Sequence, residues 1–179
     1  MAEGHLPASL GAEDGSIPDR AVEEFFGIEQ FEGFSARLGA MPARDMVIVK
    51  ETDTTITFRD GLGVLSERQT TGSQTIPHFL EFPIRDRATW EAFRDEFLDP
   101  EHPVRVIPEE TLREREEMTR TTPNPVHTGF GSFIGRIRDW VGFENLAYLS
   151  VVAVSLVEKM VVHMSEMALR LMPTVLERG

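Results

Sequence analysis

The last quarter of the chain carries one apolar stripe. Ala153, Val157, Met160, Met164, Met167, Ala168 and Leu171 recur every three or four residues, while Glu158, Lys159, Glu166 and Arg170 fall outside it. Only a helix has that period, and a long helix with one clean stripe must lie on an apolar layer. The spacing predicts a helix over 150–172, with Ser150 as its cap and Pro173 kinking or ending it. Such a helix needs a second layer to cover it, and residues 124–149 are suited to supply one.

That stretch reads as a short buried strand, a glycine-bearing loop and the start of a helix. Gly129, Gly131 and Gly135 open backbone conformations that other residues reach only at a cost. Arg136, Arg138 and Asp139 follow, beside Phe130, Phe133, Ile134 and Trp140. A turn that sets arginines at the mouth of an apolar pocket suits a carboxylate, because the guanidinium fork binds its two oxygens together. The two arginines are separated by one residue, so on a regular element they diverge and one of them faces a given pocket.

Upstream the pattern changes. Residues 46–49 are a brief apolar run, and residues 54–58 alternate, with Ile56 and Phe58 on one face and threonines on the other. Asp60-Gly61 signals a hairpin turn, with residues 63–67 as the return strand; residues 76–82 are extended and end at Pro83. Asp86 can cap a helix whose Trp90, Phe93 and Phe97 share a face, and Asp99-Pro100 stops it. Pro108 opens another helix, with Glu109 and Glu110 at the positive end of its dipole. Glu109–Arg113 and Glu116–Arg120 have the spacing of ion pairs on a solvated face. Nearer the start, Phe25, Phe26, Ile28, Phe31, Phe34 and Leu38 predict short helical turns on the core, and residues 1–20 a loose extension.

Composition sets outer limits. A chain of 179 residues with 41 % hydrophobic residues is expected to form one domain with a sizeable core. Its net charge of −12 opposes both phosphate backbones and anionic lipid, so neither nucleic acid nor membrane is an expected partner. The absence of cysteine removes disulfides and thiolate metal sites. The start lacks the basic and apolar regions of a signal peptide, and the most apolar window, 146–157, runs into Glu158 and Lys159. The expectation is a soluble cytoplasmic protein.

The series AEGHLP, EEFFGIEQF, TFRDGLGV, HFLEFPIRDRATWEAFRDEFLDP and GSFIGRIRDWVGFENLAYL, in this order, resembles the uroporphyrinogen decarboxylase superfamily. More narrowly it resembles the divergent branch that grades into the corrinoid-dependent methyltransferases. The resemblance implies a single (β/α)8 barrel with its site at the C-terminal ends of the strands. A barrel of that kind takes about 250 residues or more. The expected fold is therefore α/β: the N-terminal portion of a partial TIM barrel over residues 21–179, with an inserted β-hairpin.

The implied activity is a carboxy-lyase of tetrapyrrole (porphyrin) biosynthesis that works without a cofactor. Two alternatives stand beside it: a methyltransferase of the corrinoid and zinc-thiolate type, split or truncated, and a non-catalytic truncated paralogue that self-associates. The implied partners are a small-molecule polycarboxylate or corrinoid-linked substrate, together with a second copy in a homodimer or a complementing barrel half. The chain departs from the family at Ser150-Val151-Val152-Ala153-Val154-Ser155-Leu156, where an Asp-Pro-Glu helix opening is usual. The decarboxylases' N-terminal arginine motif has no counterpart here.

Arg136, Arg138, Arg68 and His78 are the candidate substrate-binding residues; no catalytic residue or metal ligand is assigned. Arg136 and Arg138 either meet substrate carboxylates or pair with Asp139 or Glu144 to fix the loop. Arg68 leaves the hairpin toward either side. His78 and His127 lie in extended segments, where a histidine is more often simply satisfied by its neighbours. Asp60 is ordinarily a turn residue, given Gly61 beside it. His163 and Glu166 are one helical turn apart but do not form an HExxH zinc arrangement, and Gly129-x-Gly131-x-x-x-Gly135 is not the dinucleotide fingerprint. Ser132 in GFGSF lacks the spacing of a nucleophile elbow.

Overall fold

A computed structural model describes residues 19–71 and 76–178. The expected loose extension, residues 1–20, falls almost wholly outside the described residues, and a helix, α1 (Asp19–Phe26), occupies its end. Two short strands, β1 (Glu32–Gly33) and β6 (Val126–His127), pair in parallel. Four others form an antiparallel meander in chain order: β2 (Val47–Glu51), β3 (Thr55–Arg59), β4 (Leu65–Gln69) and β5 (His78–Glu81). Helices α2 (Arg87–Phe97), α3 (Glu109–Thr121), α4 (Phe133–Val141), α5 (Phe143–Val152) and α6 (Val154–Leu176) complete a mixed α/β architecture.

The core forms around α6. Met160, Met164, Met167 and Ala168 of the expected stripe are buried along it, whereas Ala153, Val157 and Leu171 are half-buried and Leu156, Met172 and Val175 take the remaining core positions. Facing them are Trp90, Phe93 and Phe97 of α2 and Ile137, Trp140 and Val141 of α4. The Phe93 and Trp140 rings lie 5.1 Å apart, centre to centre. Asp86 caps α2 as its position foretold: its Oδ1 accepts the Thr89 N–H at 2.9 Å, and the Thr89 hydroxyl accepts the Asp86 N–H at 2.9 Å. The Thr89 N–H, and then the Thr89 hydroxyl donating to the same Oδ1 at 2.8 Å, hold the Asp86 carboxyl below its ordinary range.

Helix α3 lies in water on most sides, with Leu112 its one buried residue. Arg113 pairs with Glu109 as expected, but Arg120 takes Glu117, and Glu116 is engaged by Arg178 from the far end of the chain. The long helix also begins later than its cap residue implied. Ser150 sits inside α5 with its hydroxyl donating to the Leu146 carbonyl at 2.8 Å. Ala153, at φ −141° and ψ 47°, breaks the run, so α5 and α6 meet at a bend of 114°. The β-branched Val151, Val152 and Val154 around it favour helix weakly, which makes this the natural place to break. Pro173 does not end the helix: α6 continues past it to Leu176.

The sheet departs further from expectation. Ile56 and Phe58 alternate with threonines, yet the buried positions are Thr57 and Ser66, and the two apolar residues are only half-buried. Strand β2 is exposed along its whole length. The β3–β4 turn spans residues 60–64, with its positive φ at Gly63 (+97°), so it is not a two-residue loop at Asp60-Gly61. The expected buried strand at the start of residues 124–149 is half-buried at Val126 and exposed at His127, since its one strand partner is the two-residue β1. Phe25, Phe26, Ile28 and Phe31 do not reach the core either; Ala36 and Leu38 do, with Phe34 packed partly against it. Among the described residues no single helix is long and apolar enough to cross a membrane; α5 and α6 reach that length and apolarity only together, across their bend.

Candidate functional site

An open cleft of about 530 Å³ lies where the meander meets the α4–α5 junction. Its apolar walls are Leu62 and Val64 from the β3–β4 turn, Phe79 and Phe82 from β5 and its exit, and Trp140 and Phe143 from the helices. Asp60, Arg138 and Asp139 supply its polar atoms.

Local chemistry fixes each wall. The Ser132 hydroxyl accepts the Gly135 N–H at 2.9 Å and starts α4, which turns Ile137 and Trp140 inward and leaves Arg138 and Asp139 outside. Gly142 separates α4 from α5 at φ +81°, and a Cβ there would stand 2.5 Å from the Phe82 ring. Glycine is therefore what lets Phe82 close against the junction. The Ile84 N–H donates to the Trp140 carbonyl at 3.2 Å, and Asn145 Nδ2 donates to the Ile84 carbonyl at 3.3 Å. These bonds carry the exit of β5 to the helices, and Phe79 and Phe82 with it.

Asp60 builds the opposite wall. Its Oδ1 accepts the N–H groups of Leu62 and Val64, each at 2.9 Å, so the carboxylate serves the turn, as its pairing with Gly61 suggested. Arg138 lies on the surface of the cleft, its Nη2 2.8 Å and its Nε 3.2 Å from Asp139 Oδ1. Arg136 diverges from it, as two residues on a helix must. Its Nη2 donates to the Phe130 carbonyl at 3.4 Å, and it packs beside Gly131 and Gly39, with its Nε buried and unbonded.

The four candidate residues do not converge. Arg138 alone lines the cleft. Arg68 leans over the Phe58 ring, 5.6 Å from its centre, on one face of the sheet. His78 stands opposite Glu67 on the other face and is exposed. His127 packs edge-on to Phe31, and His163 sits edge-on to Trp90 with Nε2 3.0 Å from the Leu98 carbonyl; neither lines this cleft.

Sequence reasoning missed Arg105, a buried guanidinium. Its Nε donates to the Asp99 carbonyl at 2.7 Å, its Nη2 to the Phe97 carbonyl at 2.7 Å, and its Nη1 to the carbonyls of Gly39 and Arg37. Burial lowers its pKa and Asp99 opposes the shift. It staples the end of α2 to residues 37–39, and no motif around Pro103-Val104-Arg105 announces that. The chain matches no protein-family model, no curated protein and no solved structure.

Proposed function

We propose that this chain is a divergent member of the uroporphyrinogen decarboxylase superfamily whose cleft takes a ring-bearing carboxylate. The observation that carries the reading is Arg138 at an opening walled by Phe79, Phe82, Trp140 and Phe143. Aromatic walls accept the face of a planar ring, and a guanidinium beside them accepts its carboxylate in two bonds. The Arg138–Asp139 pair is exposed on both sides and contributes little, so a substrate carboxylate displaces Asp139 at small cost.

On this reading β1 and β6 are neighbouring strands of a partial (β/α)8 barrel, α2 and α3 lie on the connection between them with the β2–β5 meander as an insertion, and α4 follows β6. The parallel pairing of β1 with β6 supports it, because parallel strands need helical connections rather than hairpins. The methyltransferase alternative requires thiolates around zinc. The chain has no cysteine, and among the described residues no three histidine or carboxylate side chains converge, so these residues do not fit such a centre. The alternative of a non-catalytic, self-associating paralogue draws on Phe143, Tyr148, Val151 and Val154, which are exposed around the α5–α6 elbow.

Calorimetric titration with a tetrapyrrole polycarboxylate and with its uncharged ester tests the reading. Arg138→Ala is expected to weaken the carboxylate ligand about tenfold or more and leave the ester unchanged, in line with a charged hydrogen bond of about 1.5–3 kcal/mol. Arg136→Ala acts only through loop 129–131 and shifts both ligands alike. Equal losses for the two ligands at Arg138, or binding of neither by the unaltered chain, would sink the proposal.

A further inference from the structure

Strand β2 is one margin of the antiparallel sheet. It pairs with β3 on one side, and among the described residues no strand pairs with the other. Met46, Val47, Ile48 and Val49 are each more than half exposed, between 53 % and 59 %. The opposite margin, β5, is flanked by Pro77 and Pro83, which offer no N–H to an incoming strand. No proline interrupts residues 44–51. Unpaired backbone groups beside a run of exposed apolar side chains form a template for another strand.

The charges specify which strand. Val47 lies opposite Arg59, Ile48 opposite Phe58, Lys50 opposite Thr57 and Glu51 opposite Ile56, with Val49 bulged between. Side chains alternate along β3, so Val47 and Lys50 emerge on one face and Ile48 and Glu51 on the other. Asp45 and Met46 precede the strand; drawn into it in the same alternation, Asp45 would share the face of Val47, and Met46 that of Ile48. A bulge ordinarily blunts an edge. Here it changes the phase by one residue and brings Asp45 onto the face of Lys50, where residues five apart would otherwise be opposed. Neither side chain has an ion-pair partner among the described residues.

We propose that β2 pairs antiparallel with β2 of a second copy across a two-fold axis at Val47, joining the two meanders into one continuous sheet. In that register Val47 meets Val47, Ile48 meets Met46, and Lys50 meets Asp45 at two symmetry-related places. The bulged Val49 absorbs the extra residue. The pattern is self-complementary, which is what an isologous interface requires. It stands apart from the decarboxylase reading and survives its failure.

Light scattering on size-exclusion fractions of the full chain tests it, with charge exchange as the probe. The unaltered chain is expected at twice 20.2 kDa. Lys50→Glu and Asp45→Lys each place like charges opposite one another and raise the dimer dissociation constant about tenfold or more. The double exchange D45K/K50E restores attraction, and with it the dimer. All these positions are exposed, so an unchanged circular-dichroism melt of each variant at low concentration checks the fold. A monomeric unaltered chain overturns the proposal, whether its edge is bare or covered by residues 1–18. So does a dimer indifferent to either single exchange, or one that the double exchange fails to restore.

Discussion

The helical half and the antiparallel sheet are both rich in apolar residues and bury them to very different degrees. Along α6 the apolar stripe meets rings from α2 and side chains from α4, and Met160 and Met164 are fully buried. In the sheet, Ile56 and Phe58 are half-buried, and Val47 and Ile48 are more than half exposed. The sheet joins the helices mainly at its turn and exit: Val64 is buried there, and Arg44 pairs with Glu96 and leans over Phe97. Periodicity states which residues share a face. It does not state whether anything lies across from that face, and the two regions differ in that respect alone.

The largest expected effect follows directly. Met164→Ala removes a fully buried side chain and should cost about 2–5 kcal/mol, read by chemical denaturation. Ile48→Ala in the Lys50→Glu background, where β2 is expected to be unpaired, should stay within about 0.5 kcal/mol. A large loss at Ile48 in that background would mean the sheet face is covered after all, and the contrast between the halves would collapse.

A smaller effect sharpens the contrast at the seam. Gly142 combines φ +81° and ψ 149° with the Phe82 ring at collision distance, whereas Gly27 has φ +66° and nothing within 4 Å of an added Cβ. Gly27→Ala should lose about 1–2 kcal/mol at most, from backbone strain alone. Gly142→Ala adds the displacement of Phe82, so it should lose about 1–3 kcal/mol and also weaken binding in the cleft. Equal losses at the two glycines, with ligand binding untouched, would show that Phe82 is not held by the junction.

What the sequence revealed tracks how local the cause is. The α2 cap is legible because Asp86 and Thr89 are three residues apart, and the α6 stripe because its period repeats within one element. Arg138 beside Trp140 was legible as an arginine at an apolar mouth for the same reason. The other walls arrive from far along the chain, Leu62 by a turn and Phe79 by a strand, and nothing local announces them. The bend at Ala153 depends on where α5 must stop for α6 to reach its partners, so a capping residue at Ser150 was misleading. Arg68 and His78 lie on neighbouring strands, β4 and β5, but strand parity sends them to opposite faces. The Arg105 staple joins segments more than sixty residues apart and has no short-range signature.

The smallest effect concerns the end of the helical half. Arg178 donates from Nη1 and Nη2 to the Glu109 carboxylate, at 2.6 Å and 2.9 Å, and from Nε to Glu116 at 2.6 Å, tying the residues after α6 to α3. The hydrogen bond from Arg178 is the main cause that holds the Glu109 carboxyl below its ordinary value of 4.5, with burial opposing it and Arg113 adding a lesser attraction. A carboxylate lowered in the folded state binds protons less readily there than in the unfolded chain. Its contribution is therefore fully present above about pH 4.5 and is lost as pH falls through the lower folded value. Protection of the last-turn amides of α6 against exchange should accordingly fall below that range while the Met160–Met164 region keeps its protection, because apolar side chains hold the core there and His163 on the same turn is bonded to the Leu98 carbonyl rather than to a carboxylate. Arg178→Ala should lower that protection already at neutral pH and leave it insensitive to the Glu109 titration. If the core loosened together with the last turn, the helical half would rest on this surface pair, and its difference from the sheet would be one of electrostatics rather than burial.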